Sequence, residues 1–178
     1  MKNLVYILIS IMILCSSCGN NKKASPRLGV YTTPKMEYSI SDNKIYVPYK
    51  KTMNDLIEVQ VSLNGVPFNM FWDTGASMTC ISSLELNKLI KEGRIRSTED
   101  FLGSTISTLA DGSTTNDKVY RINEVFIQGN NGEYLRLKNI ETIVSNNAEA
   151  PLLIGQNVIS NLPKHSFNEK EMLIEFEK

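Results

Sequence analysis

The side chains in this sequence able to break bonds are few. Among 178 residues there is one histidine, His165, and there are three cysteines, Cys15, Cys18 and Cys80. A zinc site draws several ligands from His, Cys and carboxylates. One histidine without a cysteine cluster does not supply that set, so no metal and no cofactor are expected. A Ser-His-Asp or Cys-His arrangement would have to use the same histidine. His165 follows Leu162-Pro163-Lys164 in a polar stretch and reads as a solvent-facing loop residue. Cys80 has no histidine near it in sequence and reads as a small packed hydrophobe rather than a nucleophile. What remains is a carboxylate, Asp73, in the run Asp73-Thr74-Gly75-Ala76-Ser77 directly after the apolar pair Phe71-Trp72. Taken alone, Asp-Thr-Gly is a plain β-turn whose Asp accepts local backbone hydrogen bonds. Its weight depends on the elements that hold it.

Those elements are mostly short strands. Ile57, Val59, Val61 and Leu63 alternate with Glu58, Gln60 and Ser62, the period of a strand with one wet face. Asn64-Gly65 is a tight-turn signal, and Val66 to Trp72 is the return strand, with Pro67 suited to an edge or first position. The candidate loop therefore follows a hairpin. Ser83 to Gly93 carries Leu84, Leu86, Leu89 and Ile90 and predicts a short helix, capped by Ser82 or Ser83 and stopped by Gly93. Ile106 to Leu109 is a small strand, Asp111-Gly112-Ser113 a turn, and Val119 to Ile127 alternates again. A second turn at 129–132 leads to strand material at Leu135, Leu137 and Ile140 to Val144. Pro151-Leu152-Leu153-Ile154-Gly155 is a buried strand ending in Gly, and Asn157 to Leu162 a short helix stopped by Pro163. Met172 to Phe176 is a terminal strand, free either to pair with a second subunit or to close its own chain's barrel, since an exposed apolar edge is a hazard. Many short strands with one or two short helices predict an all-β barrel. Apolar residues make up 42% of the chain, enough for a core, and 19 basic residues balance 19 acidic ones. That balance, with no basic patch or aromatic platform, excludes a nucleic-acid partner.

In that order, these motifs resemble the retropepsin-like, single-lobe aspartic proteases. Asp73-Thr74-Gly75-Ala76-Ser77 looks like the family's active-site loop, Ala110-Asp111-Gly112-Ser113 like the tip of its flap, and Leu153-Ile154-Gly155-Gln156-Asn157 like its second signature. The resemblance covers 45–178 and implies an acid-protease barrel. It also implies an aspartic endopeptidase. One such loop in a single lobe implies a homodimer in which Asp73 faces Asp73 of a second copy across a two-fold axis. The two carboxylates would share a proton, as the dyad of this family does in the standard account. One would act as general base on a water and the other would donate to the carbonyl oxygen of a polypeptide substrate. The resemblance gives Thr74 a hydrogen bond across the dimer axis, Gly75 the tight turn and Ala76 the space beside the substrate. It makes Leu153, Ile154 and Gly155 the floor of the loop, and Ala110 to Thr114 a flap that excludes water.

The chain departs from the retroviral pattern in two linked places. Gln156 stands where an Arg is usual and Ser77 where an acid is usual, so a paired charge is missing as a unit and a retroviral style of interface is in doubt. Asn157 replaces an Asp frequent in cellular members. Two other readings stay open. One is a catalytically silent domain of the same family that binds peptide or serves in assembly. The other is an unrelated structural barrel, in which Asp73 and Leu153 to Gly155 would lie far apart.

The first residues carry a separate message. Lys2 precedes an apolar run from Leu4 to Leu14, too short for a membrane span and of signal-peptide length. Ser16-Ser17-Cys18 resembles a bacterial lipobox, with Cys15 in place of the usual Leu. The expected organisation is a signal peptide at 1–17, a polar tether at 18–44 starting from a lipidated Cys18, and the protease domain at 45–178. The lipid would anchor the protein to a membrane of the bacterial cell envelope.

Overall fold

A computed structural model describes residues 35–39 and 44–177. The stretch expected to be a signal peptide, Cys15, the lipidation candidate Cys18 and most of the expected tether lie outside the described residues. Eleven strands and two short helices follow one another: β1 (Lys35–Ser39), β2 (Lys44–Lys51), β3 (Ile57–Leu63), β4 (Val66–Trp72), β5 (Thr79–Ser82), α1 (Ser83–Lys91), β6 (Phe101–Thr108), β7 (Thr114–Gln128), β8 (Tyr134–Ser145), β9 (Leu153–Ile154), α2 (Gln156–Ile159), β10 (His165–Asn168) and β11 (Leu173–Glu177). Strand β1 falls within the stretch read as tether and pairs antiparallel with β8.

Local chemistry explains most boundaries. Asn64 and Gly65 both take positive φ, 49° and 85°, which turns β3 directly into β4. Asn64 also ties this turn to the rest of the fold, since its side chain donates to Arg94 O at 2.9 Å and accepts from Glu124 N at 2.9 Å. Helix α1 opens with a capping box in which Ser82 Oγ accepts from Leu84 N while Glu85 reaches back to the Ser82 amide. It ends at Glu92, followed by Gly93 at φ +68°. Alternation in β3, β7 and β8 sends Val59, Val61, Leu63, Ile122, Val125, Leu135, Leu137 and Ile140 into one core, each burial contributing on the order of 1.5–3 kcal/mol.

The all-β content with two short helices stands, but the barrel does not. The sheet runs β10-β11-β2-β3-β4-β9-β5-β8-β7-β6, with β1 attached to β8 and a short further pairing of β3 with β7 through two residue pairs. This path has two free ends, β10 and β6, so the sheet is not a closed barrel. Inside the path the sheet is also thin at one point, since β9 has two residues and meets β5 at one position, Cys80↔Leu153. Alternation specifies which face of a strand is apolar and says nothing of which strand lies at an edge.

The terminal strand is settled within the chain. β11 lies between β2 and β10, paired antiparallel with both, so neither of its edges is open to a second copy. His165 is likewise not a loop residue. It lies in β10, half-buried, with its ring 5.2 Å from that of Trp72 and 5.3 Å from that of Phe176, and its Nδ1 3.0 Å from Pro163 O. The polar residues before it conceal a strand that packs its ring against the core.

Candidate active site

Strand β4 delivers Asp73 to the end of a buried element. Trp72, the residue before it, is packed among His165, Phe167 and Phe176. The loop then folds back on the carboxylate: Asp73 Oδ1 accepts from Gly75 N at 2.8 Å and from Ala76 N at 3.2 Å. These two bonds hold one oxygen in place and leave Oδ2 without a bond among the described residues. Asp73 itself is half-buried, and Thr74 and Gly75 are exposed.

The second apolar segment lies under this loop. β9 runs parallel to β4 with Phe71 opposite Leu153 and Trp72 opposite Ile154, and Asp73 N donates to Ile154 O at 3.0 Å. Gly155 then passes so close to the loop that a Cβ would lie 2.3 Å from the Met78 carbonyl carbon, 2.4 Å from its oxygen and 2.7 Å from Thr79 N. Its φ of −94° is open to any residue, so space, not backbone conformation, demands glycine here. Asp73 and Leu153 to Gly155 are therefore side by side, which removes the unrelated-barrel reading.

Two residues at which the sequence departs from its relatives, Gln156 from the retroviral pattern and Asn157 from the cellular one, turn out to hold the loop. Gln156 donates its backbone N–H to Ala76 O at 2.8 Å and its side-chain amide to Thr74 O at 3.1 Å. Asn157 Oδ1 accepts from both Thr79 N (2.8 Å) and Thr79 Oγ1 (3.0 Å), while its Nδ2 donates to Glu141 O at 2.7 Å. A neutral amide does here what a carboxylate could not, because one end accepts and the other donates. The Thr74 hydroxyl has no partner among the described residues.

A cleft of about 710 Å³ opens beside the loop. One wall is Gly75, Ala76, Ser77 and Met78, and the β6–β7 hairpin supplies another through Thr105 to Leu109, Thr115 and Asp117. Leu153 also lines it, whereas Asp73 does not. The hairpin tip is a tight turn with Gly112 at φ +83°, in which Leu109 N donates to Ser113 O at 2.8 Å. The Ser113 hydroxyl and amide both donate to Asp111 Oδ1, at 2.6 and 2.9 Å, and hold that carboxyl below its ordinary range. Ala110 to Ser113 are exposed and stand outside the cleft lining. Cys80 lines the cleft as a neutral thiol: burial, and secondarily the nearby Asp117, push it up to about 11. Among the described residues no three His, Cys, Asp or Glu side chains are grouped to hold a metal ion.

Asp117 is the site-facing residue that the motifs do not disclose. It lies in the polar run Thr114-Thr115-Asn116-Asp117-Lys118. The usable signal is phase: it shares the period-two face of Val119, which is buried.

An all-β sheet in which an Asp-Thr-Gly loop rests on a Leu-Ile-Gly strand, beside a hairpin that walls a cleft, is the layout of a retropepsin-like aspartic protease. Residues 59–161, more than half of the chain, match the family described as "gag-polyprotein putative aspartyl protease", and the chain belongs to that family. Among solved structures it is similar in fold to a retropepsin-like aspartic protease from Rickettsia conorii, with a TM-score of 0.51 and 14% sequence identity over 82% of this chain and 96% of that one. No curated protein matches the chain.

Proposed function

We propose that the protein is an aspartic endopeptidase that works as a homodimer, with Asp73 of each copy sharing one active site. The observation that carries this reading is the Oδ2 of Asp73, unbonded among the described residues, on a loop fastened from below by Ile154, Gln156 and the close approach of Gly155. Preorganisation of this kind lets a carboxylate act without moving at the moment of reaction. In the dimer the ionised Asp73 takes a proton from water, and the water attacks the peptide carbonyl. The protonated Asp73 donates to the carbonyl oxygen, and return of a proton to the amide nitrogen releases two peptides. The proton belongs to the pair. The Thr74 hydroxyl, without a partner among the described residues, supports a bond across the two-fold axis, and Ala110 to Ser113 act as the moving tip of the flap.

The same reading places the domain at 45–178, behind a signal peptide at 1–17 and a tether at 18–44 lipidated at Cys18, on a bacterial envelope membrane. A surface anchor raises local concentration and favours a weak dimer. Mass spectrometry of the mature N-terminus, in the native host, checks the lipid.

The deciding experiment follows mass in solution and casein cleavage together over a concentration series. Cleavage is expected to rise with the dimer fraction and to vanish in Asp73→Asn. A chain that stays monomeric and never cleaves, even at acidic pH, refutes the shared-dyad reading.

A further inference from the structure

Asp100 and Asp117 are both almost fully buried, and the two carboxylates are treated differently. Asp100, 1% exposed, has Arg121 Nη2 at 3.2 Å, Arg96 Nε at 3.8 Å and the Arg96 amide at 2.9 Å. Asp117, 2% exposed, receives one hydrogen bond, from Thr115 Oγ1 at 3.1 Å, and no Lys or Arg reaches it among the described residues. A buried carboxylate is costly unless it is paired and hydrogen-bonded. Fold stability alone gives no account of this one.

Its position offers one. Asp117 lines the cleft, and so do its cross-strand partner Thr105 and the neighbouring pair Ser107 and Thr115. Ser107 Oγ is buried with no hydrogen-bond partner among the described residues, a spare acceptor on the same wall. The same cleft is also lined by Met78 and Leu153, both apolar. The cleft thus combines a carboxyl group and a spare hydroxyl with apolar lining able to take a hydrocarbon stem.

We propose that Asp117 is a specificity-determining residue, whose carboxylate receives the Lys or Arg side chain of a polypeptide substrate. The proposal rests on the peptidase reading and names which substrates it favours. A Lys stem lies along Met78 and Leu153. Its ammonium has three donors and no acceptor, which suits Asp117 and Ser107 Oγ together. The resulting charge-assisted bond is stronger than a neutral one. A site built around a polar partner rejects an analogue lacking it, because its own buried groups are then left unpaired.

The test uses decapeptides with one Lys moved through each position, each matched by a twin carrying norleucine, which keeps the stem and lacks the charge. At one position the Lys peptide is expected to exceed its twin at least about tenfold in kcat/KM, and the Asp117→Asn protein to cut that ratio below about twofold. Thermal unfolding of Asp117→Asn is expected at or above the wild-type midpoint. A fall in midpoint with an unchanged Lys preference would show a structural carboxylate and overturn the proposal; if the Asn variant does not fold, Asp117→Ser takes its place. Equal cleavage of both twins at every position overturns the subsite while leaving the peptidase standing. A protein that cleaves neither twin fails the peptidase reading. Calorimetric binding of the same peptides to the full chain then decides the subsite: tighter binding of the Lys peptide upholds it, and equal or absent binding overturns it.

Discussion

Replacing Gly155 by alanine adds one methyl group, and the geometry says where it goes. The Cβ would lie 2.3 Å from a backbone carbon of Met78, where ordinary contact begins at 3.4 Å. Backbone cannot rotate away as a side chain can, so α2 and the 74–79 loop must part by roughly 1 Å. That separation strains four bonds across the gap: Asp73 N to Ile154 O, Gln156 N to Ala76 O, Asn157 N to Ser77 O, and Gln156 Nε2 to Thr74 O. Overpacking of a filled site costs about 1 to 3 kcal/mol, and a carboxylate misplaced by roughly 1 Å costs on the order of a hundredfold in rate. The expected outcome is therefore asymmetric. Urea unfolding should show a folded protein with a lower midpoint and an unchanged slope. The cleavage rate should fall by about two orders of magnitude, mainly in kcat. A Gly155→Ala protein with wild-type stability and full activity would refute the claim that this close approach holds the Asp73 loop.

Asn157→Ala removes three hydrogen bonds and leaves the buried Thr79 amide without its side-chain acceptor. It should cost about 2 to 3 kcal/mol, and denaturant titration showing no loss would contradict the bridging role. The Cys80 thiol, raised to about 11, should react slowly with a thiolate-selective reagent near neutrality and faster by about tenfold per pH unit until that value. Because its folded value lies above its unfolded one, titration of Cys80 also lowers stability as pH rises through that window, and Cys80→Ser should weaken this alkaline loss. Fast labelling at neutral pH would show an accessible, activated thiol instead. Glu175 on β11 is held below its ordinary range, first by Asn168 and then by Lys44. Its contribution is thus present above the normal glutamate range and lost as pH falls through the depressed value. Glu175→Gln should flatten the acid limb of the stability profile, and an unaltered limb would exclude this side chain as its source.

What could be read from residue order was what depends on near neighbours. The Asn64-Gly65 hairpin, the capped helix after Ser82 and the Asp73 loop at the end of β4 are each written in a few consecutive positions, because turn geometry, capping and alternation act over that range. Residue order also implied, by likeness to a family, that Leu153-Ile154-Gly155 would lie under the loop; in the structure Asp73 N donates to Ile154 O. The strand edges were not legible. An alternating segment carries its apolar face with it into any pairing, so nothing local distinguishes a closed barrel from a sheet ending at β6 and β10. Nor could local pattern show that β11 would be held between β2 and β10, or that His165 would pack on Trp72 across a long separation in sequence. Asp117 makes the same point at the scale of one side chain. Its neighbours in the chain are polar and suggest solvent, and only the meeting of β6, β7 and the 75–78 loop removes it from water and turns it toward the cleft. Sequence alone thus determined the carboxylate and its turn; which groups surround it was decided by contacts between segments far apart in the chain, whose energies depend on partners that no local pattern names.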